Sequence, residues 1–177
     1  VEIEGRPKLP PGQGLGTGVI VTDANYFRTM QIPLKRGRLF TDQEAAEMRH
    51  VVVINEAFAR KNFPGEDPLG KRVVIYMKDD NQPCEIIGIV GDSKHMNLDA
   101  KIEPMSYWPH PELAYNSMTF VIRTKGDAAA VTSGARNIIR ALDPEQPVAD
   151  VFTMESLIGK SVARARFNTL LLTILSL

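Results

Sequence analysis

The stretch VVVINEAFARKNFPGEDPLGKRV, residues 51–73, places a strand, a helix and a turn in direct succession. Its β-branched run predicts a strand over 51–54. Asn55 is of a type that caps helices, so we expect a helix to begin after it and to end before Pro64. The following segment PGEDPLG is dense in turn-forming residues. The stretch therefore predicts one strand–helix pair of a domain that mixes both kinds of element.

Strand signals continue through the middle of the chain. KRVVIYMK (71–78) and CEIIGIVGD (84–92) each predict a strand, and the polar DDNQP between them predicts a hairpin-like connection. PMSYWPHP (104–111) is short and has prolines at both ends, so it predicts an extended segment at a sheet edge. The β-rich residues 49–116 are therefore expected to form a subdomain of their own.

The flanking regions predict strands joined to helices. TGVIVT (17–22) is expected to be a strand that leads into a helix from Asp23. MTFVIRT (118–124) and VADVF (148–152) predict strands on either side of a helix that begins after Asp127. The apolar residues on one face of that helix are Val131, Ala135, Ile138, Ile139 and Leu142.

These patterns predict an α+β fold with a discontinuous arrangement. Residues 1–48 and 117–152 are expected to form a subdomain of strand–helix–strand units, into which residues 49–116 are inserted. Residues 153–177 are expected to begin as an amphipathic helix and to lead into an apolar segment.

Composition excludes some classes of function. The 177 residues contain 21 Lys plus Arg and 21 Asp plus Glu, and this zero net charge argues against a nucleic acid as the main partner. Cys84 is the single cysteine, so no internal disulfide can form. None of the three histidines lies at metal-ligand spacing from another, and we expect neither a metal nor a cofactor.

The segment GEDPLGKR, residues 65–72, resembles a phosphate-binding loop but departs from it. Arg72 stands where the pattern needs a hydroxyl, and the order of helix and strand around the segment is reversed. We therefore expect a turn.

Two other clusters have a functional and an ordinary interpretation. In GDSKH (91–95), Asp92 and His95 are candidates for an acid–base pair, but Asp and Ser after a strand are also ordinary turn residues. Tyr107 and Trp108 are candidates for contact with a partner, although packing in the core is the expected role of such aromatic residues.

The last segment, RARFNTLLLTILSL, suggests a membrane boundary. Six of the eight residues from Leu170 to Leu177 are leucine or isoleucine, and Arg164 and Arg166 precede them. Positive residues often flank a membrane-spanning run. Because eight residues are too few to span a bilayer, we expect the first turns of a severed membrane helix. The start VEIEGRP has no initiator Met, which favours a chain cut at both ends.

The chain resembles a known family over most of its length. It is similar to the MacB-type periplasmic core domain of ABC transporter permeases, and more narrowly to the FtsX-like permeases of the acidobacterial duplicated type. The stretches that carry this resemblance are 21–44, 51–73, 85–95, 121–130 and 139–172.

The resemblance implies a fold, a location and partners. The subdomain made of 1–48 and 117–152 would be porter-like, and the domain would face the periplasm or the cell exterior between two membrane helices. Its implied partners are the permease membrane helices, a cytoplasmic ATPase that acts indirectly, and a second permease copy or a periplasmic protein. The resemblance further implies a preceding membrane helix and a first part of the porter-like subdomain, for which we find no counterpart in these residues.

These observations lead to three hypotheses about function. The first is a non-catalytic domain that couples ATP hydrolysis to export or to mechanical work. The second is a periplasmic module that binds a substrate or partner through Tyr107, Trp108 and residues 110–117. The third is a soluble enzyme that uses Asp92 and His95.

Overall fold

A computed structural model describes residues 1–7, 16–76, 82–94, 100–110 and 117–159. The chain divides into two units. Unit 1 contains residues 1–94 and 101–121, and unit 2 contains residues 95–100 and 122–177.

Unit 1 is built on a mixed sheet of seven strands flanked by short helices. Its elements in chain order are β1 (Glu2–Ile3), β2 (Gly18–Thr22), α1 (Tyr26–Met30), β3 (Leu34–Gly37), α2 (Asp42–Ala46), β4 (Val51–Asn55), α3 (Glu56–Asn62), β5 (Arg72–Val74), β6 (Cys84–Val90) and β7 (Met105–Pro109).

The strand order is β1-β5-β6-β4-β7-β2, and β3 also pairs with β6. The pairs β4–β6 and β2–β7 are parallel, whereas the other pairs are antiparallel. The two central strands, β4 and β6, are mostly apolar, as is typical of strands that are covered on both faces.

Each face of the sheet supports its own hydrophobic core. In β4, Val52 and Ile54 enter the core beneath α3, while Val51 and Val53 enter the core beneath α1. The first core also contains Phe58, Phe63 and Trp108. The second core also contains Phe27, Phe40 and Tyr107. The β-branched run of β4 thus joins the two cores.

A bulge in β6 explains a break in its side-chain alternation. Val52 is opposite Ile86, but the next residue, Val53, is opposite Gly88. Ile87 is therefore the extra residue, and Ile86 and Ile89 both reach the core beneath α3. Gly88 permits a close backbone approach at this point, since a Cβ there would lie 2.0 Å from the carbonyl oxygen of Arg38.

In unit 2, α4 (Ala128–Leu142) begins where it was expected. The Asp127 carboxylate accepts a hydrogen bond from the backbone N–H of Ala129 at 3.0 Å, which caps the helix. A further helix covers 154–159. Residues 118–124 and 148–152, which were predicted to be strands, are not paired into a sheet among the described residues. A segment with a strand-like sequence joins a sheet only when a neighbouring strand satisfies its backbone polar groups.

Two further expectations differ from the structure of unit 1. The segment containing β7 was predicted at a sheet edge, but β7 lies between β4 and β2. Its prolines do not interrupt the middle of the strand, because Pro104 precedes it and Pro109 is its last residue. A subdomain boundary was predicted after residue 48. However, β2 and β3 pair with β7 and β6, so residues on both sides of that position share one sheet.

Candidate functional site

Asp92, one half of the predicted acid–base pair, is held by α3. One carboxylate oxygen accepts a hydrogen bond from the backbone N–H of Ala57 at 2.8 Å. The other forms an ion pair with the Arg60 guanidinium at 2.7 Å. A carboxylate near a helix N-terminus stabilises the unpaired amides there. The position of Asp92 is thus explained by helix capping.

The other residues of the GDSKH cluster do not complete a catalytic arrangement in the described part of the chain. The Ser93 hydroxyl lies 3.3 Å from the Tyr107 hydroxyl. His95 is outside the described residues, so the predicted pair with Asp92 stays a prediction. The Asp92 carboxylate contacts α3, and the Ser93 hydroxyl contacts Tyr107.

Tyr107 is a core residue, which is the role that the sequence favoured for it over a partner contact. It is 0 % exposed, and its ring centroid lies 5.1 Å from that of Phe27 in an edge-on arrangement. Burial raises the pKa of Tyr107 and raises the pKa of neighbouring Tyr26 to about 12. Both phenols are therefore protonated at neutral pH.

Trp108 is also a core residue, on the opposite face of the sheet. Its side chain is 4 % exposed, and its indole N–H donates to the Ser106 hydroxyl at 3.0 Å. Because successive side chains of a strand point to opposite faces, Tyr107 and Trp108 fill different cores. Both aromatic side chains therefore pack in the cores, which is the role expected of them from the sequence.

The segment 65–72, which resembles a phosphate-binding loop in sequence, forms a turn, as predicted. The segment follows α3 and precedes β5, and both Gly65 and Gly70 have positive φ angles. The Asp67 carboxylate accepts from the backbone N–H of Leu69 at 3.1 Å and pairs with Arg36 at 2.6 Å. A carboxylate inside the loop opposes phosphate binding.

Asn55 organises the centre of unit 1 and was recognised from sequence only as a helix cap. Its side-chain oxygen accepts from the backbone N–H of Phe58 at 2.8 Å and of Met105 at 2.9 Å. Its amide group donates to the Glu103 carbonyl at 2.9 Å. One buried side chain thus joins β4, α3 and the start of β7.

Unit 2 exposes an unusual set of apolar side chains. Ile138 is 64 % exposed and Leu142 is 82 % exposed, although both lie on the apolar face of α4. The segments on either side of α4 and the 154–159 helix add further exposed apolar residues, namely Ile122, Val151, Phe152, Met154, Leu157 and Ile158. Large apolar side chains exposed in this number are typical of a region that contacts another structure.

The proposed membrane boundary lies outside the described residues. This holds for Arg164, Arg166 and the run from Leu170 to Leu177. In the described part of the chain, none of the helices combines the length and apolar character needed to cross a membrane. In the same residues, no group of three or more metal-ligating side chains occurs.

Comparisons with known proteins identify relatives of the fold. The model of the MacB-like periplasmic core domain matches residues 5–150. The macrolide export ATP-binding/permease protein MacB of Aggregatibacter actinomycetemcomitans is 35 % identical over 69 residues, which cover 39 % of this chain and 10 % of that protein. The chain spans between 10 % and 18 % of the length of the curated relatives it matches.

Solved structures support the same α+β fold. The periplasmic region of MacB from Actinobacillus actinomycetemcomitans has a TM-score of 0.51 and 22 % identity, with 68 % of this chain and 54 % of that chain covered. A domain of a putative permease protein from Porphyromonas gingivalis has a TM-score of 0.53 and 17 % identity, with 89 % of this chain and 75 % of that chain covered.

Proposed function

The chain belongs to the MacB-like periplasmic core domain family of ABC transporter permeases, and from that premise we propose that it is a non-catalytic domain that couples cytoplasmic ATP hydrolysis to export or to mechanical work outside the cytoplasm. The match of the family model over residues 5–150 carries this proposal. Its proposed partners are the permease membrane helices, the ATPase acting through them, and a second permease copy or a periplasmic protein.

The contacts of Asp92 support a role without chemistry. Its two carboxylate oxygens already accept from Ala57 and Arg60 of α3. A general base must have a lone pair directed at the proton that it removes. Each oxygen already has a partner in the helix, and this accounts for the position of Asp92 by structure alone.

The 154–159 helix supports coupling through the chain. It follows residues 148–152, and the Thr153 hydroxyl accepts from the Ser156 N–H at 3.2 Å at its start. We propose that this helix connects the domain to a membrane helix that begins near Arg164 and Arg166. A helix transmits tilt or rotation because its backbone hydrogen bonds keep it stiff.

Insertion between Phe152 and Ser156 in the full permease tests this coupling. Seven Gly/Ser residues should abolish transport-dependent activity while membrane insertion and ATP binding persist. The matched control is a helix-forming insertion of the same length, which adds about two turns and keeps the connection stiff. Unchanged activity with the flexible insertion would contradict rigid coupling.

We also propose that residues 117–152 are part of the porter-like subdomain and that another part of the permease covers the apolar face of α4. The exposure of Ile138 and Leu142 favours this proposal. The related solved chains favour it as well, because only 54 % and 75 % of those two chains align with this chain, so both contain further residues that could cover α4.

Leu142→Ser should leave the stability of the isolated chain unchanged but impair assembly of the full permease. The control is Leu34→Ser in unit 1, which should leave assembly intact.

The same exposed apolar residues favour a second candidate, a module that binds a periplasmic partner or substrate without mechanical coupling. Flexible and helical insertions would then be equally tolerated, while Leu142→Ser would still reduce partner binding. The insertion experiment therefore separates the two functions.

A further inference from the structure

An open surface cleft of about 330 Å³ lies in unit 2, between the last turns of α4 and the segment that follows the helix. Small-molecule sites generally begin at about 300 Å³. The residues that line it and matter here are Arg136, Arg140, Pro144, Glu145, Gln146 and Pro147. We propose that the cleft binds a small zwitterion, a molecule in which an oxyanion and an ammonium group lie close together.

The oxyanion would be held by Arg136 and Arg140. These residues are four positions apart in α4, so their side chains leave the same face of the helix. Each guanidinium presents a planar fork of N–H donors that matches a carboxylate or a phosphate group. No ion pair occupies either fork among the described residues. The donors are therefore available to a ligand.

The ammonium group would face Glu145. This residue lies in the cleft lining and forms no ion pair with the described residues. The carboxyl end of α4 adds a partial negative charge of about half a unit. These negative charges weaken the attraction of the two arginines for a simple anion and stabilise a ligand that also carries a positive charge. A lining with both signs of charge thus selects a zwitterion over an anion.

The wall that carries Glu145 is held in place before a ligand arrives. The Asp143 N–H donates to the Ile139 carbonyl at 2.8 Å, which ties the segment to the helix end. The Asp143 carboxylate accepts from the backbone N–H of Glu145 at 3.0 Å. Pro144 and Pro147 restrict the backbone on either side. Preorganisation of this kind lowers the entropy cost of binding.

An ordinary role of the arginines makes a different prediction. Cations in the last turns of a helix stabilise its negative end without any ligand. In that case ligand binding would be absent, and Glu145 would have no influence on it. The two interpretations can therefore be separated by experiment, independently of transport.

The test titrates the ¹⁵N-labelled full chain at constant ionic strength and follows the amide signals of residues 136–148. Glycylglycine and glycerophosphoethanolamine are the two probes, because a peptide and a lipid headgroup are the two sources of this chemistry. We expect saturable shifts with at least one probe. Arg136→Gln and Arg140→Gln should each weaken its binding by about fivefold, as for the loss of an exposed ion pair.

Substitution of Glu145 distinguishes binding of a zwitterion from binding of a simple anion. Glu145→Gln should weaken binding of the zwitterion by about fivefold and strengthen binding of acetate, since the repulsive carboxylate is gone. Lys125→Gln removes a charge of unit 2 that lies outside the cleft lining. It should change neither the affinity for the zwitterion nor the affinity for acetate. Arg136→Lys keeps the charge but lacks the fork, so it should restore only part of the affinity.

Three outcomes would overturn the proposal. They are an absence of saturable binding by both probes, an equal loss of affinity in Lys125→Gln, and a zwitterion affinity that Glu145→Gln leaves unchanged. The ¹⁵N spectra of the variants also report whether each remains folded.

Discussion

The side-chain oxygen of Asn55 lies 2.9 Å from the backbone nitrogen of Met105, across the junction of β4 and β7. The same oxygen caps α3, and the residue is 0 % exposed. A single amide side chain therefore satisfies backbone groups that belong to three separate segments. Buried groups of this kind are costly to leave without a partner.

Asn55→Ala should lower the free energy of unfolding by about 2–4 kcal/mol, because it removes a helix cap and leaves the buried Met105 N–H without an acceptor. Urea unfolding followed by circular dichroism measures the effect. Asn25→Ala is the matched control, since the Asn25 side chain makes no cap hydrogen bond in α1. An equal effect of the two substitutions would show that Asn55 has no special role.

Gly88→Ala and Gly134→Ala should have opposite effects on stability. At Gly88 an added Cβ would meet the Arg38 carbonyl oxygen at 2.0 Å, so the variant should lose about 1–3 kcal/mol. At Gly134, inside α4, nothing lies within 4 Å of the added Cβ. Removing that helix glycine should gain about 0.5–1 kcal/mol. Thermal unfolding of both variants checks the signs, and a stabilised Gly88→Ala protein contradicts the close approach.

Asp92→Ala should cost about 1–2 kcal/mol, because the Ala57 N–H loses its acceptor and Arg60 loses its partner. Asp92→Asn keeps an oxygen that can accept from Ala57, so its loss should be smaller. Arg60→Gln removes only the exposed ion pair and should have the smallest effect. Urea midpoints in that order support the capping role, whereas equal stability of all four proteins argues against it.

Glu44 should make stability depend on pH in the acid range. Its hydrogen bonds to Arg38 are the main cause of a pKa below the ordinary value of 4.5. A carboxyl group with a lowered pKa in the folded state stabilises the protein above its ordinary pKa. That stabilisation is lost as the pH falls through the folded-state pKa.

The corresponding experiment compares Glu44→Gln with the parent protein at pH 7 and pH 3. The parent should be more stable by about 0.5–1 kcal/mol at pH 7, and the difference should shrink at pH 3. Glu103→Gln is the control, because the exposed Glu103 carboxylate forms no ion pair with the described residues. A difference that grows on acidification would reverse the assigned sign.

Local signals in the sequence were sufficient for β4, α3 and α4. A β-branched run followed by Asn55, and the Asp127 cap before an apolar stripe, depend on interactions within a few residues. The pairing of β2 with β7 depends on residues far apart in the chain, and the sequence GVIVT does not indicate which strand it pairs with. The two-residue strand β1 and the bulged β3 are too short to show an alternating pattern.

The candidate site residues also differ in whether their roles depend on local or on distant parts of the sequence. Asp92 attracted attention as a reactive group, but its role depends on the approach of α3, which the spacing of 35 residues from Ala57 conceals. Tyr107 and Trp108 were ambiguous because aromatic residues serve both cores and contacts. The cleft near Arg136 depends on how the segment after α4 folds back, which helical periodicity does not describe.

The edge strand β2 can join the sheet only after its partner β7 has been synthesised. Ser106 of β7 and Gly18 of β2 are joined by a hydrogen bond across 88 positions of sequence. At synthesis rates of about 5–20 residues per second, that distance corresponds to roughly 4–18 s. The apolar GVIVT segment therefore waits without its partner strand while the chain emerges. A newly made domain needs protection from aggregation during this interval, and β7 ends the exposure.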